Sequence, residues 1–387
     1  MGFQRQIRQA LSDLESAGLL RRPLRISGPQ GPEVEINGAK VLCFCSNNYL
    51  GLASHPAIAA ASAASPANDG VGAAASRLIT GTMDAHLDAE AACADFVNTR
   101  AAALFSSGYA ANVGTIQALV GAGDAIFSDA LNHASLIDGA RLSRANVFVY
   151  SHRDPEHLRS LLAQHRAKAQ RVLIVTDSLF SMDGIAAPLP ELQAVAREYD
   201  AGLMVDEAHA LGVFGPNGRG LSAALGIEPD VIVGTLGKSV GLAGAFVAAS
   251  DDVVMLVRNR ARSFVYSTAP PPMLARAAIS ALRLVHDAEQ ARTTLLAHAS
   301  RLRSGLAELG FEIAEGKSQI IPVLIGENRD TMQLSSKLLE RGVFVQGIRP
   351  PTVPAGTARL RLTPMATHQP EQIERVIATF ASMVRER

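Results

Sequence analysis

Seven short apolar or β-branched runs, separated by Ala- and Leu-rich stretches of helical texture, dominate the middle of the chain. They are ALF at 103–105, AIF at 125–127, VFVY at 147–150, VLIVT at 172–176, LMVD at 203–206, VIVG at 231–234 and AFVAA at 245–249. Strands that alternate with helical segments are joined by crossovers. They therefore line up as βαβ units in a mostly parallel sheet with helices on both faces. In such α/β sheets ligands bind beyond the carboxyl ends of the strands, so chemistry is to be sought just after each run.

The flanks have a different texture. Phe3, Ile7, Leu11 and Leu14 recur at helical spacing and predict an amphipathic helix ending near Gly18. Strand-like VEIN and KVLCFCSNNYLGL follow, turning at Asn37–Gly38. After residue 280 a long helix carries Leu295, Ala299, Leu302, Leu306 and Leu309. Strands are expected at 320–325, 343–345 and 358–363, and a closing helix shows Ile373, Val376, Ile377, Phe380 and Val384. With 387 residues, more than one core is expected. The expected divisions are 1–45 for an N-terminal helix and strands, 46–280 for a large domain, and 281–387 for a smaller α+β domain.

Lys+Arg and Asp+Glu both total 36, so the chain has no net positive field. That removes the simplest basis for binding nucleic acid or an anionic membrane surface. Apolar runs stop well short of the roughly 20 residues that span a bilayer, and the charged start MGFQRQIRQALSDLE has no signal-peptide core. A cytoplasmic location is expected. Cys43 and Cys45 fit neither a zinc knuckle nor a redox CxxC and read as small core residues. No metal site is expected.

Two strand ends carry charge. After LMV comes Asp206-Glu207-Ala208-His209, and after VIVG comes Thr235-Leu236-Gly237-Lys238-Ser239. Burying an Asp and a Lys there is costly unless each has a partner or a task. D-E-A-H and G-K-S also occur in NTP-driven helicases, but a phosphate-cradling loop needs a Gly where this chain has Ile232. The acidic motif also precedes the GKS. Pyridoxal 5′-phosphate chemistry suits the pair better: it needs a Lys to condense with an aldehyde and an acid to keep the pyridine nitrogen protonated. A plain structural ion pair between Asp206 and Lys238 is the alternative.

The surrounding motifs resemble the α-oxoamine synthase family of fold-type I pyridoxal-phosphate enzymes. They are SNNYLGL (46–52), ASRLITGTMDAH (75–86), FSSGYAANVG (105–114), NHAS (132–135), DSLFSMDG (177–184), VDEAH (205–209) with GPNGRG (215–220), TLGKS (235–239) and FVYSTAPPP (264–272). The likeness runs nearly end to end. It implies a transferase fold with a mostly parallel seven-stranded sheet flanked by helices, a smaller α+β C-terminal domain and a short N-terminal segment.

By this resemblance Lys238 holds the cofactor covalently and later removes a substrate proton, which requires a neutral amine although a free Lys titrates near about 10.4. Asp206 pairs with the pyridine N–H, His133 stacks on the ring, and His209 bonds its phenolic oxygen. Ser181 and Thr235 are cofactor ligands. Gly108 and Tyr109 open a helix whose first N–H groups suit the phosphate, and Thr268 reaches a neighbouring subunit's phosphate. Arg349 clamps a substrate carboxylate with its bidentate fork, assisted by Asn47, while Arg21 and Thr352 also contact substrate. His86, His152, His157 and His165 read as structural or surface residues.

The stretch GIRPPTVPAGTARLRLT (347–363) looks most like the branch that joins L-alanine to a pimeloyl thioester in biotin biosynthesis. The carrier is CoA or an acyl carrier protein, and a homodimer is expected. The alternatives are 2-amino-3-ketobutyrate CoA ligase, 5-aminolevulinate synthase and serine palmitoyltransferase, which share the cofactor machinery. A catalytically silent relative would have lost the Lys, which is present here.

Overall fold

The computed structural model describes residues 2–385, which form two compact units. One comprises residues 47–181 and 185–293; the other comprises, among the described residues, 2–46, 182–184 and 294–385.

In the larger unit all seven apolar runs are strands of one sheet. From edge to edge they are Ala101–Phe105, Ala245–Ala249, Val231–Thr235, Gly202–Asp206, Val172–Asp177, Ala125–Asp129 and Asn146–Tyr150. The pairs from Val231–Thr235 to Asn146–Tyr150 are parallel. Only Ala245–Ala249 runs antiparallel to both its neighbours. The reason is local: residues 236–244 form a turn without a helix, too compact for a crossover, so the chain returns as a hairpin. Val172–Asp177, Val231–Thr235 and Ala245–Ala249 are buried at every position, as strands covered on both faces must be.

Ile116, Ile126, Leu136, Val175, Met204 and Val233 belong to this unit's core, each buried side chain contributing roughly 1.5–3 kcal/mol. The helices Gly108–Leu119 and Ala134–Ser143 pack closely against each other. Gly139 permits it, since a Cβ there would lie 2.9 Å from Ile116 Cδ1 and 3.3 Å from the Asn112 carbonyl oxygen.

The smaller unit holds two sheets of four strands. One is antiparallel and runs Glu312–Ile313, Ile321–Gly326, Ala358–Leu362, Gln346–Ile348. The other runs Ile26–Ser27, Glu33–Ile36, Ala39–Cys43, Val343–Phe344. The expected strand at 343–345 is thus the two-residue strand Val343–Phe344, and after Val345, which is in neither strand, the chain enters Gln346–Ile348 of the other sheet. Phe44, Leu302, Leu306, Ile321, Leu360, Ile373 and Phe380 share a core. In the closing helix Pro370–Arg385, Met383 is buried while Val384 is 37% exposed, so the inward stripe is one residue off the expected one at its end. The N-terminal helix spans Phe3–Ser16, with none of its residues buried. Cys43 is buried and joins Val34, Ile36 and Val41, and Cys45 packs against that cluster. No helix among the described residues is long and apolar enough to cross a membrane.

Candidate active site

Parallel pairing sets the chemistry out along one sheet end. Asp177 and Asp206 are the last residues of adjacent strands and are register partners; Thr235 ends the next strand. Asp206 is 4% exposed. Its Oδ2 accepts from Asn112 Nδ2 at 2.7 Å and its Oδ1 from the Ala208 N–H at 2.8 Å. Asp177 accepts the His133 N–H at 2.7 Å. Burial, and then the Asp206 charge beside it, push the Asp177 carboxyl well above the usual range.

The turn after Thr235 delivers Lys238. The Gly237 N–H donates to Thr235 Oγ1 at 3.2 Å and the Gly241 N–H to the Lys238 carbonyl at 2.9 Å. Lys238 Nζ lies 2.8 Å from His209 Nε2. The other ring nitrogen, Nδ1, lies 2.7 Å from the hydroxyl of fully buried Tyr49, which donates to Asn47 Oδ1 at 3.0 Å. A phenol has one proton, so with that proton on Asn47 the His209 Nδ1 carries its own and Nε2 accepts from Lys238.

His133 caps the helix Ala134–Ser143 and accepts the Ser135 N–H at Nδ1. Much of its surface is exposed. Enclosure of the ring is the largest cause holding its pKa below the ordinary value; Asp206 opposes this and Lys238 adds to it. Glu207, fully buried, accepts from Ser178 Oγ, the Leu221 and Ser222 N–H groups and Ser222 Oγ. Gly220 leaves room for it: at φ +105°, any Cβ would sit 2.7 Å from the Glu207 carboxyl carbon.

At the start of Gly108–Leu119, Ser107 Oγ accepts the Ala110 N–H at 3.1 Å. The Gly108 and Tyr109 N–H groups are those a helix leaves without internal acceptors. Thr235 Oγ1 faces this start, 3.8 Å from where a Gly108 Cβ would be. The Tyr109 hydroxyl donates to Asp138 at 2.6 Å. Ser181 is half-buried beyond the end of Val172–Asp177. Thr268 is exposed and bridged to Ser76.

Pyridoxal phosphate fits this arrangement. Asp206 is a buried carboxylate whose partners are an amide and a backbone N–H rather than a cation, as a pyridinium site requires. An amine and a helix start with a hydroxyl beside it supply the remaining donors.

The smaller unit gathers three other expected residues. Arg21, Arg349 and Thr352 line a cavity of about 570 Å³ with Leu24, Met332 and Ile348. The Arg349 Nη2 donates to the Leu20 carbonyl at 2.8 Å and Arg21 Nη2 to the Pro350 carbonyl at 3.1 Å. The Arg349 Nε is buried without a partner, and burial, then Arg21, lower the guanidinium's pKa. With Arg22 also on its wall, a cavity lined by three arginines and no carboxylate is suited to an anionic substrate.

Asn112, Ser135, Asp177, Tyr49 and Glu207 were not singled out from sequence. Each lies inside a quoted motif, so the signal that marked the neighbours covered them too. They are reached only through side-chain contacts between segments distant in sequence.

Residues 39–380 match the family described as aminotransferase class I and II. The 8-amino-7-oxononanoate synthase of Geobacter sulfurreducens is 49% identical over 99% of this chain and 98% of its own. A serine palmitoyltransferase from S. paucimobilis, solved with a bound PLP–myriocin aldimine, is 33% identical, covers 100% of this chain and 99% of its own, and has a TM-score of 0.93. An 8-amino-7-oxononanoate synthase from Francisella tularensis is 28% identical over 89% of this chain and 98% of its own, with a TM-score of 0.77. A helix-flanked seven-stranded sheet, an end-to-end match and near-half identity agree: the chain belongs to the class I and II aminotransferase family and, within it, to the 8-amino-7-oxononanoate synthases.

Proposed function

We propose that this chain condenses L-alanine with a pimeloyl thioester, releasing carbon dioxide and the thiol carrier, to give 8-amino-7-oxononanoate for biotin biosynthesis. It is a pyridoxal-phosphate-dependent acyltransferase. When bound, the cofactor supplies an aldehyde for an amino group and a ring that spreads the negative charge left at the alanine Cα.

The protein's part is to hold, orient and move protons. Lys238 Nζ would hold the aldehyde carbon, Asp206 the pyridine nitrogen, and His209 the phenolic oxygen. His133 would cover one ring face. Gly108 and Tyr109 N–H groups, with Thr235 and Ser181, would hold the phosphate, and Thr268 would reach the phosphate of a second copy in a homodimer. Exposed Ile79 and Tyr266 support a covered face on the larger unit. Lys238, freed as an amine, takes the proton from the alanine Cα. Arg349, with Asn47, clamps the alanine carboxylate, while Arg21 and Thr352 contact substrate. A cytoplasmic enzyme is the natural setting.

The observation that carries this reading is buried Asp206, which accepts from an amide and a backbone N–H and has no cationic partner among the described residues, at the strand end beside the one that delivers Lys238. A decarboxylative condensation assay tests it, pairing Ala, Gly and Ser with pimeloyl, acetyl, succinyl and palmitoyl thioesters on CoA and on acyl carrier protein. Alanine with the pimeloyl thioester is expected to dominate. A preference for glycine with an acetyl or succinyl thioester would replace this substrate assignment while leaving the family intact.

A further inference from the structure

Asn112 is 1% exposed and its side-chain amide makes two hydrogen bonds to two different working groups. One proton goes to Asp206 Oδ2 at 2.7 Å and the other to Ser135 Oγ at 2.8 Å. Its orientation is fixed by chemistry. A carboxylate only accepts, so nitrogen and not oxygen must face Asp206. The buried Oδ1 has no partner, and turning the amide over would aim that oxygen at the carboxylate.

The second proton has a consequence one residue further on. Ser135 is fully buried, and its oxygen already accepts from Asn112. The Ser135 N–H donates to His133 Nδ1 from 3.2 Å, so that nitrogen is an acceptor, and the Ser135 hydroxyl, 2.7 Å from it, directs its own proton there as well. A ring nitrogen receiving two donors carries no proton of its own. His133 is thereby neutral, with its proton on Nε2. Asp206 and Asp138 favour the charged ring and Lys238 opposes it, while Asp177 accepts the backbone N–H.

We infer that Asn112 is a positioning residue with two tasks: it aims the Asp206 carboxylate and, through Ser135, holds His133 as the neutral ring protonated at Nε2. The inference rests on the pyridoxal-phosphate reading for its effect on turnover, but the ring tautomer belongs to the protein alone.

The test is nitrogen-15 NMR of the histidine-labelled full chain, before and after adding pyridoxal phosphate, with His133→Gln to assign the signal. The unaltered chain is expected to show bare Nδ1 and protonated Nε2. In Ser135→Ala and Asn112→Leu the ring is expected to populate Nδ1–H, with its pKa raised by roughly one unit. Asn112→Leu should also lower kcat about ten- to a hundredfold, with the alanine KM changed by less than about threefold. Ser135→Ala, which keeps the bond to Asp206, should lose less than about tenfold. If Asn112→Leu does not fold, Ser135→Ala still decides the matter because it removes a single oxygen. A proton on Nδ1 in the unaltered chain, or an unchanged tautomer and titration in the folded variants, would overturn the inference. Tautomer shifts as expected in a chain that neither binds the cofactor nor turns over any amino acid would instead overturn the proposed function and leave the inference standing.

Discussion

Asp177 and Asp206 end adjacent parallel strands as register partners, so two buried carboxylates stand side by side. Asp177 is held protonated to unusually high pH by that arrangement. The unfolded chain ionises this group first as pH rises through about 3.9. The penalty on the folded state therefore grows from there up to its own raised pKa, keeps its full size above that, and is absent at lower pH. An amide at 177 can still accept the His133 N–H. Asp177→Asn should thus stabilise the cofactor-free chain by about 1–2 kcal/mol at pH 7 and by close to nothing at pH 3. Urea unfolding at both values checks this, and an equal effect at the two would refute it.

Tyr49 holds the far side of His209 at 2.7 Å while Lys238 meets the near side at 2.8 Å. Tyr49→Phe keeps the buried ring but leaves a histidine N–H without this acceptor. A loss of about 1–3 kcal/mol is expected. Urea midpoints that coincide with those of the unaltered chain would show that the contact contributes nothing.

Glu207 accepts four hydrogen bonds in a fully buried site. Its carboxyl is raised by burial, with the donors opposing. Glu207→Gln would set an amide N–H against a backbone N–H, so about 3 kcal/mol of stability should be lost. A variant that melts with the unaltered chain would mean the clamp is dispensable.

Arg349 is 7% exposed, donates to the Leu20 carbonyl and keeps Nε without a partner. A lysine ammonium preserves charge but not the planar fork. Arg349→Lys is expected to raise the alanine KM about tenfold or more, with a smaller change in kcat. Steady-state kinetics in alanine separates this from a general loss of activity, which would lower kcat alone.

Much of the larger unit was legible because each of its seven strands, from Ala101–Phe105 to Ala245–Ala249, carries an apolar or β-branched run that needs no tertiary knowledge, even the largely exposed Asn146–Tyr150. The antiparallel placement of Ala245–Ala249 was less visible, since it depends on the turn at 236–244 containing no helix. In the smaller unit the run at 343–345 stops as a strand at Phe344 and Val345 leads into Gln346–Ile348 of the other sheet, a change that a short apolar segment cannot signal. Val384 was placed inward by helical spacing, yet the last turn of Pro370–Arg385 buries Met383 instead. Lys238 and Asp206 stood out as charged groups after buried strands, and His209 through its place in the family-like VDEAH motif. Asn112 and Ser135 did not, because neither carries charge and their role arises from two helices that Gly139 lets approach. Tyr49 lies inside SNNYLGL without distinguishing itself there, and its hydroxyl acquires meaning only through His209.

The decisive experiment is borohydride reduction of the chain loaded with pyridoxal phosphate, followed by peptide mass spectrometry, alongside Lys238→Ala. A single pyridoxyl-phosphate adduct on the peptide containing Lys238 is expected. Lys238→Ala should lose that adduct, the absorbance above roughly 400 nm that signals the lysine link, and turnover. An adduct on another lysine, or visible absorbance and turnover retained in Lys238→Ala, would show that the covalent anchor lies elsewhere.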